Sequence, residues 1–306
     1  MNTDSSTSTT ATSGAVQTQP PGTVPAAPAA PAPAKPARPH VVEFRNVTKT
    51  YAAGTSKAYT AIKDVSFHVE DLPDIGELVA ILGPSGCGKS TILKLIAGLA
   101  PQHPPTTGEV FVMNEPVRGP GADRGMVFQD YTAFDNRTVL DNVAFGLECR
   151  GVPRKQRHEQ AHVWIQKVGL DSKRDALKYP HQLSGGMCQR VAIARSLILN
   201  PRILLMDEPF GALDPMTRLR MQDLLIGLWS NSEDTIFFVT HSIEEAVFLG
   251  DRIYLFSNAP GTILEECFAP RPTLPAVEAQ AKPEFVERVR YIRSKIAKME
   301  SDAGIL

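Results

Sequence analysis

Residues 83–91 carry the first set of side chains whose types and spacing are suited to chemistry. They fit the phosphate-loop pattern G-x-x-x-x-G-K-[ST], in which glycines let backbone N–H groups close around phosphate oxygens. The start of a following helix adds a partial positive charge at the same place. Lys89 is predicted to reach the β- and γ-phosphates of a nucleotide, Ser90 to bind Mg²⁺, and Thr91 to contact the α-phosphate. The predicted nucleotide-binding residues of this loop are Gly83, Pro84, Ser85, Gly86, Cys87, Gly88, Lys89, Ser90 and Thr91, with Cys87 as a filler of the loop.

A pair of adjacent acids forms the second set. Asp207 and Glu208 follow the apolar run Ile203-Leu-Leu-Met206, so both carboxylates are expected at the carboxyl end of a buried strand. Beside a phosphate loop, Asp207 is predicted to hold Mg²⁺ through water. Glu208 is predicted to polarise the water that attacks the γ-phosphate. The two sets together predict a nucleotide-hydrolysing enzyme.

A third motif, Leu183-Ser-Gly-Gly-Met-Cys-Gln-Arg190, lies between the other two. Ser184 is a suitable helix N-cap, and the two glycines after it allow a backbone or a phosphate to approach closely. A glycine loop, a Ser-Gly-Gly helix start and an acidic strand end, in this order, resemble the ATP-binding cassette (ABC) family over roughly residues 41–268. Cys188 departs from the family pattern, in which a polar or charged residue is usual at this position.

The resemblance implies an α/β fold, the P-loop NTPase cassette. This fold has a mostly parallel core sheet, an antiparallel β subdomain and a helical subdomain inserted at about residues 131–200. The implied ligands are ATP and Mg²⁺. The family's pattern also assigns roles to three residues outside the motifs above. Gln129 would touch Mg²⁺ or the lytic water, His241 would bond the γ-phosphate and orient Glu208, and Asp214 would communicate across a dimer interface.

An aromatic residue near the start of the cassette is implied to stack on adenine. Tyr51, at the end of Val47-Thr-Lys-Thr-Tyr51, resembles the family's aromatic loop, and Tyr59 is the alternative. Stacking contributes about 0.5–1.5 kcal/mol beyond area burial. The aromatic residue is therefore expected to tune affinity for ATP.

One globular domain cannot easily bring the Ser184 helix and the Gly83 loop onto the same nucleotide. The family's solution is a head-to-tail pair of cassettes, with each ATP held between the loop of one and the Ser184 helix of the other. The resemblance therefore implies a second cassette subunit, in a homodimer. The residues that would contact ATP across it are Ser184, Gly185, Gly186 and Gln189.

Hydrophobic periodicity predicts the elements that position these motifs. Strands are predicted over residues 41–47, 65–69, 78–82, 203–206, 236–239 and 253–256. Helices are predicted over residues 89–99, 156–168, 184–199, 215–228 and 243–249. Strands that alternate with helices predict a parallel core sheet, whereas the opening strands have the pattern of an antiparallel one. Within the C-terminal part, residues 269–306, an amphipathic helix is predicted to pack on its own domain, or else to serve a regulator or partner.

Composition sets limits on the other classes of function. Residues 1–40 are rich in Ala, Pro, Ser and Thr, which predicts a disordered tail. The net charge of −1 gives no basic field that would indicate a nucleic-acid partner. The four cysteines form no CxxC pair, and no apolar stretch approaches the roughly 18–20 residues of a membrane-spanning helix. If the protein works at a membrane, another chain must cross it.

These observations predict the ATP-hydrolysing subunit of a bacterial importer, peripheral to the cytoplasmic face of the inner membrane. The implied partners are integral-membrane permease subunits, with contact around residues 130–146, and indirectly an extracytoplasmic solute-binding protein. Residues 247–252 and 257–261 are similar to the nitrate/sulfonate/taurine group of importers. Phe134-Asp-Asn-Arg-Thr138 departs from that group, which commonly has Pro-Trp near here. Because these residues lie in the implied permease contact, the departure bears on the identity of the transported solute more than on ATP hydrolysis.

Three alternatives stay open at this point. A cassette protein acting on ribosomes usually carries two cassettes in tandem, whereas this chain has one. A chromosome or repair ATPase separates its loop from its acidic strand by hundreds of coiled-coil residues, whereas here both lie within residues 83–207. A nucleotide-binding regulator without turnover would not need both Glu208 and His241.

Overall fold

The computed structural model describes residues 39–72, 75–130, 133–230 and 232–302. Most of the predicted tail, residues 1–38, lies outside the described residues, as do residues 131 and 132 of the predicted insertion and the last four residues. The first strand begins at His40, one residue earlier than the predicted boundary. The division into domains otherwise stays a prediction.

Ten strands and eight helices are present in the described residues. The strands are β1 (His40–Tyr51), β2 (Tyr59–Glu70), β3 (Leu78–Leu82), β4 (Thr107–Val112), β5 (Glu115–Pro116), β6 (Arg124–Val127), β7 (Ile203–Asp207), β8 (Thr235–Thr240), β9 (Arg252–Phe256) and β10 (Ile263–Phe268). The helices are α1 (Lys89–Ala97), α2 (Val139–Cys149), α3 (Arg154–Lys167), α4 (Gly185–Leu197), α5 (Pro215–Trp229), α6 (Ile243–Leu249), α7 (Ala276–Gln280) and α8 (Pro283–Asp302).

The core sheet has the strand order β10-β9-β3-β8-β7-β6. Every neighbouring pair is parallel except β10 with β9, which is antiparallel. All residues of β3, β7 and β8 are buried, which explains why their sequences are continuous apolar runs with no alternation. The predicted parallel core sheet is confirmed.

Apolar residues cover both faces of this sheet. Successive side chains of a strand point to opposite sides, so each strand contributes to both faces. Along β3, Val79 and Ile81 face a cluster that includes α1 and the apolar residues of β1, β2 and β4. Leu78 and Ala80 face a second cluster that includes residues of α2 to α8. The sheet is therefore the shared centre of two hydrophobic cores, and its strand ends are held rigidly.

The opening strands form a separate antiparallel sheet with the order β2-β1-β4-β5. The predicted pairing of the first two strands is confirmed, since β1 and β2 pair antiparallel from Tyr51 opposite Tyr59 to His40 opposite Glu70. The hairpin of β4 and β5 was not predicted, because its exposed residues give little hydrophobic periodicity.

Helices α2, α3 and α4 lie between β6 and β7, inside the span predicted to be a helical insertion. The N-cap Thr138 starts α2 by accepting a hydrogen bond from the backbone N–H of Asp141 at 3.2 Å. The apolar sides of these helices join the second cluster through Val143, Ile165 and Val191.

The C-terminal helix α8 packs on the domain that precedes it. Val289 and Ile292 are buried in the second cluster, and Arg293 pairs with Glu244 of α6 at 3.0 Å. Packing on its own domain, one of the two readings of the amphipathic pattern, is therefore confirmed. Among the helices in the described ranges, none is long and apolar enough to span a bilayer.

Candidate active site

Four predicted site segments follow parallel strands of the core sheet. The loop of residues 83–88 follows β3, Glu208 follows β7, His241 follows β8, and Gln129 lies two residues after β6. The carboxyl ends of parallel strands lie at one edge of a sheet, where open α/β folds bind ligands. The fold therefore places these segments along the same edge.

Lys89 and Ser90 stand at the start of α1, directly after the glycine loop. The Nζ atom of Lys89 donates hydrogen bonds of 2.8 Å to the carbonyl oxygens of Gly83 and Pro84, which holds the loop closed around it. Gly88, with a φ of 94°, is the residue before the helix. Only glycine adopts this conformation readily, and a Cβ atom there would also meet the backbone of Ala61. The geometry is that of a ready anion site at a helix N-terminus.

The base of the loop rests on residues 257–261, whose supporting role was not predicted from the sequence. Gly261 donates its backbone N–H to the carbonyl of Ala61 at 2.8 Å and accepts a bond from the N–H of Lys63 at 3.0 Å. A Cβ atom at Gly261 would collide with the carbonyl oxygen of Cys87. Residues 257–261 thus hold the phosphate loop against β2, and the side chain of Cys87 is buried at this contact.

Asp207 lies against the start of α1. Its Oδ1 atom accepts a hydrogen bond from the hydroxyl of Ser90 at 2.7 Å. Asp207 is buried, and this burial raises the pKa of its carboxyl, although the bond from Ser90 opposes the shift. A hydroxyl and a carboxylate side by side next to a phosphate loop are oxygen ligands of the kind that Mg²⁺ prefers. The donor set therefore fits the predicted metal.

Glu208 and His241 form a pair at the same edge. The Oε2 atom of Glu208 lies 3.3 Å from Nδ1 of His241, and both side chains are partly open to solvent. Glu208 has a φ of 45°, a left-handed conformation that costs a non-glycine residue about 1–3 kcal/mol. The carbonyl of Val239 accepts the backbone N–H of Glu208 at 3.1 Å and holds it in this conformation. A strained acid held in place beside a histidine is the arrangement expected of a catalytic base.

Gln129 is exposed beyond the end of β6, the strand that pairs with β7. Val127 lies opposite Met206, the residue before Asp207. The register therefore places Gln129 on the sheet edge that carries the two acids.

A groove of about 310 Å³ joins the loop to the aromatic residues. Tyr51 and Tyr59 both line it, as do Lys89 and Glu208. The hydroxyl of Tyr51 is 3.1 Å from that of Thr91, and the hydroxyl of Tyr59 donates to the carbonyl of Gly86 at 2.9 Å. Both tyrosines therefore stand where a nucleotide base could stack.

The Ser184 motif opens α4, as predicted. The hydroxyl of Ser184 accepts the backbone N–H of Met187 at 3.4 Å and caps the helix. Gly185 is exposed, and a Cβ atom there would touch nothing within 4 Å, so its surface is free for a ligand. Gly186 serves the fold as well, because a Cβ atom would lie 2.7 Å from the methyl group of Thr217 on α5.

Gln189, predicted to contact ATP across the dimer, lies apart from the start of α4. Its side chain is 0% exposed, and its Nε2 atom donates to the carbonyl oxygen of Pro209. Helical spacing accounts for this placement, because residue 189 falls on the side of α4 that faces the core. Gln189 therefore links α4 to the segment after Glu208. Its contact with ATP stays a prediction.

Asp214 is the N-cap of α5. Its carboxylate accepts the backbone N–H of Thr217 at 3.0 Å, and hydrogen bonding to Thr217 lowers the pKa of Asp214. This local role was not predicted and is compatible with the proposed role at a dimer interface, since the side chain is exposed.

Comparisons with known proteins agree with the geometry. The sequence profile described as ABC transporter matches residues 62–211. The nitrate import ATP-binding protein NrtD of Synechocystis is 49% identical over 213 residues, covering 70% of this chain and 77% of the relative. The taurine import ATP-binding protein TauB of Escherichia coli is 45% identical over 242 residues, covering 77% and 91%. A solved dimeric ATP-binding cassette, in a post-hydrolysis state bound to ADP and Pi, has 35% identity and a TM-score of 0.63, covering 75% of this chain and 99% of its own.

This chain belongs to the ABC transporter family. Its fold is the P-loop ABC cassette, and it binds and hydrolyses ATP. The predicted family, fold class and enzyme activity are confirmed.

The two tyrosines can be separated by substitution. We expect Tyr51→Ala to weaken ATP binding by about 2- to 10-fold, because it removes a stacking attraction of about 0.5–1.5 kcal/mol. Tyr51→Phe is the matched control, since it keeps the ring and loses only the hydroxyl near Thr91. Equilibrium binding of a fluorescent ATP analogue measures both. A larger loss from Tyr59→Ala than from Tyr51→Ala would assign the stacking to Tyr59.

Removal of residues 1–38 is expected to leave the ATPase rate within about 2-fold of the full chain. The reason is that every predicted site residue lies at position 51 or later, within an element or loop of the described fold. Steady-state phosphate release from the two proteins at equal concentration measures the difference. A large loss of activity would overturn the prediction that the tail is dispensable.

Proposed function

We propose that this chain is the ATP-hydrolysing subunit that energises a bacterial importer of a small solute such as nitrate, a sulfonate or taurine. One observation carries the proposal. The lysine of the phosphate loop, the Ser90–Asp207 pair and the Glu208–His241 pair converge at one edge of the core sheet. The names of the relatives NrtD and TauB support import rather than action on ribosomes or nucleic acid.

In this proposal each residue has a defined task. The loop N–H groups and Lys89 bind the β- and γ-phosphates, and Tyr51 stacks on the base. Glu208 accepts a hydrogen bond from the attacking water and takes its proton as the water oxygen bonds to the γ-phosphorus, while the bond from that phosphorus to the β,γ-bridging oxygen breaks and ADP leaves. His241 orients Glu208 and donates to a γ-phosphate oxygen, where charge builds up. Mg²⁺, held by Ser90 and Asp207 with Gln129 at the edge of its site, would neutralise phosphate charge.

Two cassettes complete each site. The residues that line the groove come from the loop, its support, the tyrosines and Glu208, and among the described residues the Ser184 motif does not contribute to it. The free surface at Gly185 and the positive end of α4 suit the γ-phosphate of an ATP bound to a second copy. The dimer of the solved cassette with ADP and Pi supports this arrangement. Asp214 would face the partner at the same interface.

The partners in the membrane are integral permease subunits, reached through residues around 130–146. ATP favours the closed dimer, and hydrolysis with product release favours the open one. The difference in nucleotide affinity between these states is what shifts the permease between its two faces. The cassette then lies on the cytoplasmic face of the inner membrane, and an extracytoplasmic solute-binding protein delivers the cargo to the permease.

Affinity purification of the tagged full-length chain from detergent-solubilised native membranes tests this proposal. Mass spectrometry is expected to find a polytopic permease in stoichiometric amounts. A tagged cytosolic protein of similar size, purified in parallel, controls for background. Recovery of ribosomal proteins or nucleic acid in place of a permease would contradict the importer role.

A further inference from the structure

Glu245, on the first turn of α6, is a buried acid that none of the roles above uses. It is 5% exposed, and this burial raises the pKa of its carboxyl. A carboxylate withdrawn from water is costly unless other groups bond to it. The two oxygen atoms of its carboxylate contact two different segments of the site.

The first segment is the turn that carries His241. The hydroxyl of Thr240 donates a hydrogen bond of 2.5 Å to Oε2 of Glu245, and the same Thr240 oxygen accepts the backbone N–H of Ser242 at 3.0 Å. The backbone N–H of Glu245 in turn bonds the hydroxyl of Ser242 at 3.2 Å. His241 is thus flanked on both sides by residues that Glu245 holds.

The second segment is the start of α5. The Nε atom of Arg218 lies 3.5 Å from Oε1 of Glu245, an ionic contact rather than a hydrogen bond. The Nη2 atom of Arg218 donates to the carbonyl of Leu213 at 3.1 Å, next to Asp214. One carboxylate therefore connects the His241 turn with the loop that ends at Asp214.

We propose that Glu245 is a positioning residue for ATP hydrolysis, which acts through Thr240 to hold His241 against Glu208 and through Arg218 to tie that turn to the Asp214 loop. The proposal rests on the roles assigned above to Glu208 and His241. Without the carboxylate, the Thr240 hydroxyl loses its acceptor, and the imidazole is free to move relative to Glu208. A misplacement of about 1 Å at a catalytic group can cost about 100-fold in rate.

The test is a double-substitution cycle on the full-length chain. Glu245→Ala and Thr240→Val are each expected to lower kcat by about 10- to 100-fold, with KM for ATP and the affinity for an ATP analogue within about 2-fold. Thr240→Ser keeps the hydroxyl and should restore most of the rate. In a His241→Ala background, adding Glu245→Ala should lower kcat by less than about 2-fold further, because the residue that Glu245 positions is already absent.

Glu244→Gln is the matched control, since Glu244 is the neighbouring acid on α6, is only partly buried and pairs with Arg293 of α8. Glutamine keeps an oxygen that can accept the hydrogen bond that Ser242 donates to Glu244 at 3.2 Å. It should leave the rate unchanged. Thr240→Val nearly preserves shape, so it carries the test if Glu245→Ala does not fold. Two results would overturn this inference without affecting the proposed function. In one, Glu245→Ala lowers kcat in the His241→Ala background by as much as it does in the wild type. In the other, folded Glu245→Ala and Thr240→Val both have the wild-type rate. A wild-type rate in His241→Ala would instead remove the proposed role of His241 on which it rests.

Discussion

Glu208→Gln is expected to bind ATP as the wild type does and to hydrolyse it at least about 100-fold more slowly. Glutamine keeps the size of the side chain but cannot accept a proton from the attacking water. Because the proposed cycle opens the closed dimer only after hydrolysis, this variant should also accumulate as a dimer when ATP and Mg²⁺ are present. Phosphate release measures the rate, and light scattering measures the mass.

The control for this variant is Glu115→Gln, which changes an exposed acid of β5 on the other sheet. It should have the wild-type rate and form no lasting dimer. If Glu208→Gln hydrolysed ATP at the wild-type rate, Glu208 could not be the base, and the strained backbone at this residue would need another explanation.

Lys89→Ala is expected to weaken ATP binding by about 10- to 150-fold, and hydrolysis should become undetectable at ordinary ATP concentrations. A hydrogen bond to a charged group contributes about 1.5–3 kcal/mol, and the alanine leaves phosphate charge without its partner. The substitution also removes the two bonds from Nζ to the loop carbonyls, so the loop loses the contacts that hold it closed.

Lys63→Ala is the matched control for the change in charge. Lys63 lies on β2 beside the support of the phosphate loop, but its side chain is exposed and does not line the groove. Isothermal titration with ATP should give the wild-type affinity for this variant. Equal affinities for ATP in Lys89→Ala and Lys63→Ala would contradict the assignment of the loop.

Much of the site could be predicted from sequence because its residues are positioned by local structure. Gly83, Lys89 and Ser90 lie in a short strand–loop–helix unit whose pattern specifies its own geometry. Asp207 and Glu208 follow a buried strand, and the parallel sheet brings that strand end to the same edge. In these cases periodicity predicts the element, and the element determines where the side chain lies.

Residues whose surroundings could not be predicted from the sequence depend on long-range packing. Gln189 was assigned to the ligand because it belongs to a motif, whereas the rotation of α4 buries it against Pro209. Gly261 supports a loop more than 170 residues earlier in the chain, and no local pattern indicates this contact. Glu245 looks like an ordinary residue of a helix first turn until Thr240 and Arg218 are placed around it.

We propose that each ATP is held between the Gly83 loop of one copy and the Ser184 helix of another. The ATPase rate per cassette, measured over protein concentrations that span dimer dissociation, tests it most directly. Light scattering under the same conditions reports the fraction of dimer. We expect the rate per cassette to rise with concentration in step with the dimer fraction and then to level off. A full and constant rate at concentrations where only single copies are present would contradict it.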